Sequence, residues 1–100
     1  MESKEISWAW VTADRLLSHG PCELLYAHLV VSAADAVSYL YDGENTGGDK
    51  IVTLESAAIT GLNFNPPKPI YCRRGLYVDK GTNVTGIFVQ WRELGHKEGG

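Results

Sequence analysis

The chain alternates apolar and polar side chains with a period of two, over short segments that end at turn residues. Residues 6–11 place Ile6, Trp8 and Trp10 on one side of an extended segment. Residues 84–92 alternate in the same way near the other end of the chain. A period of two is that of a β-strand, because successive side chains of a strand point to opposite faces. Both segments are therefore predicted to be strands.

The longest apolar segment, residues 22–32, has few polar positions on either face. A period of two divides its side chains between two faces, Leu24, Tyr26, His28 and Val30 on one and Leu25, Ala27, Leu29 and Val31 on the other. Two apolar faces are typical of a strand that is covered on both sides. We therefore expect a central strand, with a second chain as one candidate for the outer cover.

The middle of the chain adds a predicted hairpin. Residues 36–41 and 50–55 have strand patterns and flank the polar, glycine-rich residues 42–49, which predict a long hairpin tip. Residues 66–69, Pro-Pro-Lys-Pro, exclude a central strand and favour an extended edge or crossing segment. Residues 75–79 predict a further short strand.

Turn residues recur about every ten positions, and no long helical period is present. Residues 15–18 fit either a strand or a short helical turn. We predict an all-β fold: a single antiparallel β-sandwich, or a small jelly-roll-like barrel, of six to eight short strands with terminal arms. The predicted sandwich spans residues 12–93, with residues 1–11 as an N-terminal arm or edge strand and 94–100 as a flexible C-terminal tail.

Composition narrows the function classes. The chain has 100 residues, 44% of them hydrophobic, with a net charge of -3. This length predicts one domain, and the apolar content excludes a disordered or coiled-coil chain. The acidic balance argues against nucleic acid as a partner. No apolar run is long enough for a membrane helix, and the charged residues 1–5 predict no secretory signal.

Metal-binding and redox patterns are weak. Cys22 and Cys72 lie far apart with no Cys-x-x-Cys spacing, and His19, His28 and His96 share no common spacing. We expect two reduced, buried thiols that act as small apolar groups, in preference to a disulfide. No metal or cofactor is expected.

Catalytic patterns are also lacking. Residues 42–49 carry acidic side chains, but not in the order of a calcium-binding loop. The chain has no Gly-x-Ser-x-Gly turn and no phosphate-binding loop. An enzyme is therefore not expected, and no catalytic residue is proposed.

Aromatic and basic side chains supply candidates for an interface. Trp8 and Trp10 must bury a large area, and we expect at least one of them in the core and the arm that carries them to contact a neighbour. Arg73 and Arg74 either grip a carboxylate or phosphate of a partner or keep an exposed loop charged. The interface candidates are Trp8, Trp10, Tyr26, His28, Arg73 and Arg74.

Four segments in order carry a family resemblance. They are Gly-Pro-Cys-Glu-Leu-Leu-Tyr-Ala at 20–27, Val-Ser-Tyr-Leu-Tyr-Asp-Gly at 37–43, Gly-Leu-Tyr-Val-Asp at 75–79 and Val-Thr-Gly-Ile-Phe-Val at 84–89. With these segments the chain resembles small β-sandwich structural proteins of tailed-bacteriophage virions, and the resemblance covers about residues 12–92. It differs from them in its tryptophan-rich N-terminus and in residues 66–69.

The resemblance implies a non-enzymatic virion protein made in the host cytoplasm, most simply a capsid decoration or cement protein that stabilises the head shell. It implies the major capsid protein or other virion proteins as partners, self-association such as a trimer, and Tyr41 and Leu76 in the core. One alternative is a head–tail connector, tail or fibre-base component. An alternative of another class is a carbohydrate-binding host-attachment module, in which exposed Trp8, Trp10 or Trp91 stack on sugar rings.

Overall fold

The computed structural model describes residues 6–94, which form nine strands and, within that range, no helix. The strands are β1 (Ile6–Val11), β2 (Arg15–Ser18), β3 (Cys22–Val31), β4 (Ala36–Asp42), β5 (Asp49–Ser56), β6 (Leu62–Phe64), β7 (Ile70–Cys72), β8 (Leu76–Thr82) and β9 (Val84–Glu93). The all-β class predicted from the two-residue period is confirmed. Of the predicted terminal segments, residues 1–5 and 95–100 lie outside the described residues.

The strands form two antiparallel sheets that pack against each other as a β-sandwich. The first sheet has the order β1-β9-β3-β6, with β7 also paired to β3, and the second has the order β2-β8-β4-β5. Successive strands alternate between the sheets, except that β5 follows β4 and β7 follows β6 within one sheet. When β6 and β7 are counted as one interrupted strand, this is the eight-stranded order of a jelly roll.

The core lies between the two sheets and is built from alternate positions of their strands. Its largest fully buried apolar side chains are Leu24, Leu29, Leu40, Leu54, Leu76, Ile87, Val11, Val78 and Val89. The side of each sheet that points away from this core is called its outer face below. Because the period of two holds in most strands, each sheet sends one set of side chains to the core and the other to its outer face.

A β-bulge in β3 corrects the predicted division of that strand. Leu24 pairs with Trp91, but Tyr26 pairs with the next residue back, Gln90, so Leu25 is an extra residue. An extra residue shifts the alternation by one position. The prediction that Leu24 shares a face with Tyr26 is therefore wrong, because Leu24 is buried in the core and Tyr26 lies on the outer face.

The structure has two strands, β6 and β7, that the sequence pattern does not predict, so the number of strands exceeds the predicted six to eight. β6 and β7 have three residues each, and Pro66, Pro67 and Pro69 lie between them. Both pair with β3, β6 with residues 27–29 and β7 with residues 22–24. Prolines cannot donate to a sheet, so they divide this edge of the first sheet into two short strands.

Of the two residues expected in the core, Leu76 lies there and Tyr41 does not. Leu76 is fully buried. Tyr41 is half-buried and lies beside Tyr39 and Tyr77 on the outer face of the second sheet. Ser38 and Leu40 occupy the buried positions of β4 instead, so the alternation of this strand directs its tyrosines outward.

Candidate functional site

The outer face of the first sheet carries large exposed apolar side chains on its edge strand, β1. Ile6, Trp8 and Trp10 expose 50%, 65% and 43% of their surface. The alternate residues Ala9 and Val11 are buried in the core. The expectation that at least one of Trp8 and Trp10 is in the core is therefore wrong: the space between the sheets at β1 takes small side chains, so both indoles point outward.

The two tryptophans belong to a group of aromatic side chains that crosses three strands. Trp8 of β1 lies 6.0 Å from Phe88 of β9, measured between ring centroids, with the rings tilted by 34°. Tyr26 of β3 meets the same Phe88 edge-on, at 6.2 Å and 61°. Both separations are in the range in which aromatic pairs attract each other. We call Trp8, Trp10, Tyr26 and Phe88 the aromatic face.

Gly86 makes room for the indole of Trp10. A Cβ atom at Gly86 would lie 2.5 Å from Cζ2 of Trp10 and 2.8 Å from Cε2 and Cη2 of the same ring. No real Cβ approaches a ring so closely, so any other residue would push the indole away from the sheet. The glycine therefore fixes how Trp10 lies on the aromatic face.

A polar cluster borders the aromatic face beyond β3. The Tyr26 hydroxyl donates a hydrogen bond of 2.8 Å to Oδ1 of Asn63 in β6. Nδ1 of His28 is hydrogen-bonded to the same oxygen. The Asn63 amide thus holds two of the interface candidates, Tyr26 and His28, at one border of the face.

An ion pair borders the aromatic face toward the C-terminal end of β9. Arg92 Nη1 donates to Oε1 of Glu23 at 3.2 Å, and both side chains are largely buried. Gln90 lies between Arg92 and Phe88 on the outward side of β9. The aromatic face therefore has polar side chains on two of its borders and apolar rings between them, and a polar rim around an apolar centre is the usual arrangement of a protein interface.

Arg73 and Arg74 lie elsewhere, in the loop between β7 and β8. Their backbone N–H groups donate to the carboxylate of Asp42, at 3.1 Å and 2.8 Å. Arg74 also pairs with Asp49 at 3.5 Å, with both side chains exposed. The structure therefore brings together Trp8, Trp10, Tyr26 and His28 but separates the two arginines from them.

The arginine loop borders an open cleft of about 540 Å³. The cleft is lined by the 43–48 turn, residues 19–21 and the two arginines. Glu44 lines it as well, so its walls carry both signs of charge. The carboxylate of Asp42 accepts two backbone hydrogen bonds here, which gives this side chain of the 42–49 segment a structural role.

Phe88, Gly86 and Asn63 belong to the site but are not among the interface candidates predicted from the sequence. The period of two in residues 84–92 is a signal for Phe88, because it places this ring on the opposite side from Ile87 and Val89. Asn63 has no such signal, because it lies in a three-residue strand and meets His28 only through the fold.

Within residues 6–94, no three His, Cys, Asp or Glu side chains are grouped so that they could hold a metal ion. No helix in that range is long and apolar enough to cross a membrane. Comparisons with protein-family models, with curated proteins and with solved structures give no match to this chain. The bacteriophage resemblance therefore stays a prediction from the sequence.

Proposed function

We propose that this protein is a non-enzymatic structural protein of a bacteriophage virion, a capsid decoration protein that binds a neighbouring protein of the head shell through its aromatic face. The observation that carries the proposal is the outward position of Trp8 and Trp10, which expose 65% and 43% of their surface on a sheet. Folded monomers seldom leave large apolar side chains together in water.

The composition of the aromatic face suits a protein partner. Tryptophan, tyrosine and phenylalanine are enriched at the centres of protein interfaces, where a few of them supply most of the binding free energy. Trp8 and Phe88 already lie against each other on a hydrogen-bonded sheet. Because these rings are already positioned before a partner binds, their ordering costs little side-chain entropy on binding.

The architecture supports the same function by analogy. Jelly rolls occur in viral capsid proteins, and also in lectins and cupins, so the fold alone does not choose among these classes. The resemblance of residues 12–92 to tailed-bacteriophage virion proteins favours the first class. A decoration protein repeats over the symmetric shell, which is why self-association such as a trimer is part of the proposal.

The number of copies in each particle tests the proposal. Virions of the phage that encodes the chain are purified, and its band is quantified by gel densitometry against the major capsid protein. A decoration protein is expected on the order of hundreds of copies, because it follows the symmetry of the shell. About six or twelve copies would point to the head–tail connector or tail instead, and absence from the particle would reject a virion role.

A double variant tests whether the aromatic face is the surface that binds the particle. Trp8→Ala combined with Trp10→Ala is expected to weaken binding to particles that lack the protein about 100-fold, because two central aromatic anchors are removed. Ile59→Ala is the matched control, since Ile59 is 64% exposed but lies in the loop between β5 and β6. Unchanged binding of the double variant, with its fold intact by circular dichroism, would contradict the role of this face.

A carbohydrate-binding module is the second candidate, and one observation favours it. The exposed indole of Trp8 lies against Phe88, Phe88 meets Tyr26, and Tyr26 and His28 are hydrogen-bonded to Asn63, so apolar rings and polar groups share one outer face. Sugar rings stack on aromatic side chains and bond to polar groups at their edges. Binding on a glycan array that disappears in the Trp8→Ala, Trp10→Ala variant would favour this function over decoration.

A further inference from the structure

Cys22 and Cys72 meet in the fold although fifty positions separate them in the sequence. They are direct partners in the pairing of β3 with β7. Both side chains are free thiols with no exposed surface, so the expected burial is confirmed. The Cys72 thiol donates a hydrogen bond of 3.6 Å to the backbone oxygen of Ile70.

We infer that Cys22 and Cys72 form a disulfide under oxidising conditions, and that this bond fastens β7 to β3. Directly opposed residues of an antiparallel pair have Cα atoms about 4.5 or 5.5 Å apart. A disulfide needs a Cα separation of about 4.4–6.8 Å with the Cβ atoms facing each other. The register alone therefore places the two cysteines within bonding range, without movement of the backbone.

The two neighbouring thiols shift the pKa of each other. Hydrogen bonding by the Cys72 thiol favours the Cys22 thiolate and so lowers the pKa of Cys22, although burial acts in the opposite direction. The same interaction, together with burial, raises the pKa of Cys72. The thiolate is the nucleophile in disulfide exchange, so the reaction begins when one of the two cysteines loses its proton.

The oxidant is a low-molecular-weight disulfide such as oxidised glutathione. The thiolate of one cysteine attacks one sulfur of the oxidant, the S–S bond of the oxidant breaks, and one glutathione thiolate leaves. The other cysteine then loses its proton and attacks the first, which forms the protein disulfide and releases the second glutathione. The protein loses two electrons and two protons, and both are recovered in two glutathione thiols.

The bond would act on a weak part of the sandwich. β7 has three residues and pairs with one strand only, and short edge elements of this kind open locally before the rest of a fold. The backbone N–H groups of Arg73 and Arg74 directly after β7 are bonded to Asp42 of β4. Fastening Cys72 therefore also holds the loop that links the first sheet to the second.

The experiment compares reduced and oxidised protein and does not depend on the proposed function. The full chain is unfolded, reduced and then refolded in a buffer of reduced and oxidised glutathione, so that access to the buried thiols is not limiting. Free thiols are blocked in denaturant and counted by intact mass, and Tm is measured by circular dichroism. We expect folded protein with no disulfide between chains that lacks two hydrogen atoms and reacts with no blocking agent, with Tm about 10 °C above that of reduced protein.

The cysteine variants serve as matched controls. Cys22→Ala and Cys72→Ala each keep one thiol, so the glutathione buffer is expected to leave their Tm unchanged. Folded wild-type protein that retains two free thiols would overturn the inference. It would also be overturned by oxidised protein that occurs only as a disulfide-linked dimer or as a mixed disulfide with glutathione, or by an internal disulfide that leaves Tm unchanged or lower.

Discussion

The outer faces of the two sheets both carry aromatic side chains, but these side chains are exposed to different extents. On the second sheet, Tyr41 lies between Tyr39 and Tyr77, with ring centroids 6.4 Å away in each case. The ammonium group of Lys50 lies 4.7 Å from the centre of the Tyr39 ring. All three tyrosines are half-buried. On the first sheet, by contrast, Trp8 exposes 65% of its surface.

The difference separates two uses of aromatic surface. A tyrosine keeps its hydroxyl in water while its ring packs against neighbours, so the tyrosines of the second sheet need no partner protein to cover them. An indole that is largely in water gains more from a partner than from its own sheet. We therefore expect the tyrosines to stabilise the monomer and the tryptophans to stabilise a complex.

The largest effect is expected at Tyr41, the central ring of the second face. Tyr41→Ala removes both aromatic contacts and should lower the free energy of unfolding by about 2 kcal/mol, or Tm by about 10 °C. The free energy is measured by urea denaturation followed by fluorescence. Tyr41→Phe keeps the ring and should stay within about 0.5 kcal/mol of wild type.

The same measurement on Trp8→Ala completes the comparison. An exposed side chain contributes little to the stability of a monomer, so a loss below about 1 kcal/mol is expected. If Trp8→Ala cost as much as Tyr41→Ala, the first face would be as structural as the second. The contrast between the two faces would then be wrong.

An intermediate effect is expected at Gly86, beneath the indole of Trp10. Gly86→Ala should cost about 1 kcal/mol, because the new methyl group displaces the ring from the sheet. The same change in a Trp10→Ala background should cost nothing, since the conflicting ring is gone. A double-mutant cycle by urea denaturation measures this coupling. Equal costs in the two backgrounds would show that the ring does not depend on the glycine.

The smallest effect is expected at Lys50. Lys50→Met keeps most of the side-chain length but removes the charge over Tyr39, and should lower the free energy of unfolding by about 0.5 kcal/mol. Lys68→Met in the proline-rich loop is the control, because Lys68 is an exposed lysine outside both sheets. Equal effects of the two changes in thermal melts would argue against a contribution from the cation–π contact.

The sequence alone predicts the strands in which side chains for the two faces alternate clearly. A period of two needs only local information, so it correctly predicts that Trp8 and Trp10 share one side of β1 and that Ile87 and Val89 share one side of β9. Which side faces the core is a different question. In β1 both sides are apolar, Ala9 and Val11 against the tryptophans, so the pattern cannot say which set fits between the sheets.

Contacts between distant segments could not be predicted at all. The pairing of Cys22 with Cys72 depends on the register of β7, a strand too short to show a period. The bulge at Leu25 depends on how β3 pairs with β9, and it reverses the alternation for the first part of the strand. The Asn63 contact with His28 likewise exists only after β6 has paired with β3. These features are set by tertiary structure, which overrides local pattern.

The prolines between β6 and β7 have a consequence for how copies of this chain meet. A continuous edge strand offers a row of free N–H and C=O groups to any strand that approaches it. β1 is such an edge, with six residues in register on β9. The opposite edge is broken into two pieces of three residues. Within residues 6–94 the first sheet has one continuous edge, so a second copy can pair with it there in a two-fold dimer, whereas the divided edge offers no long strand for that sheet to grow further.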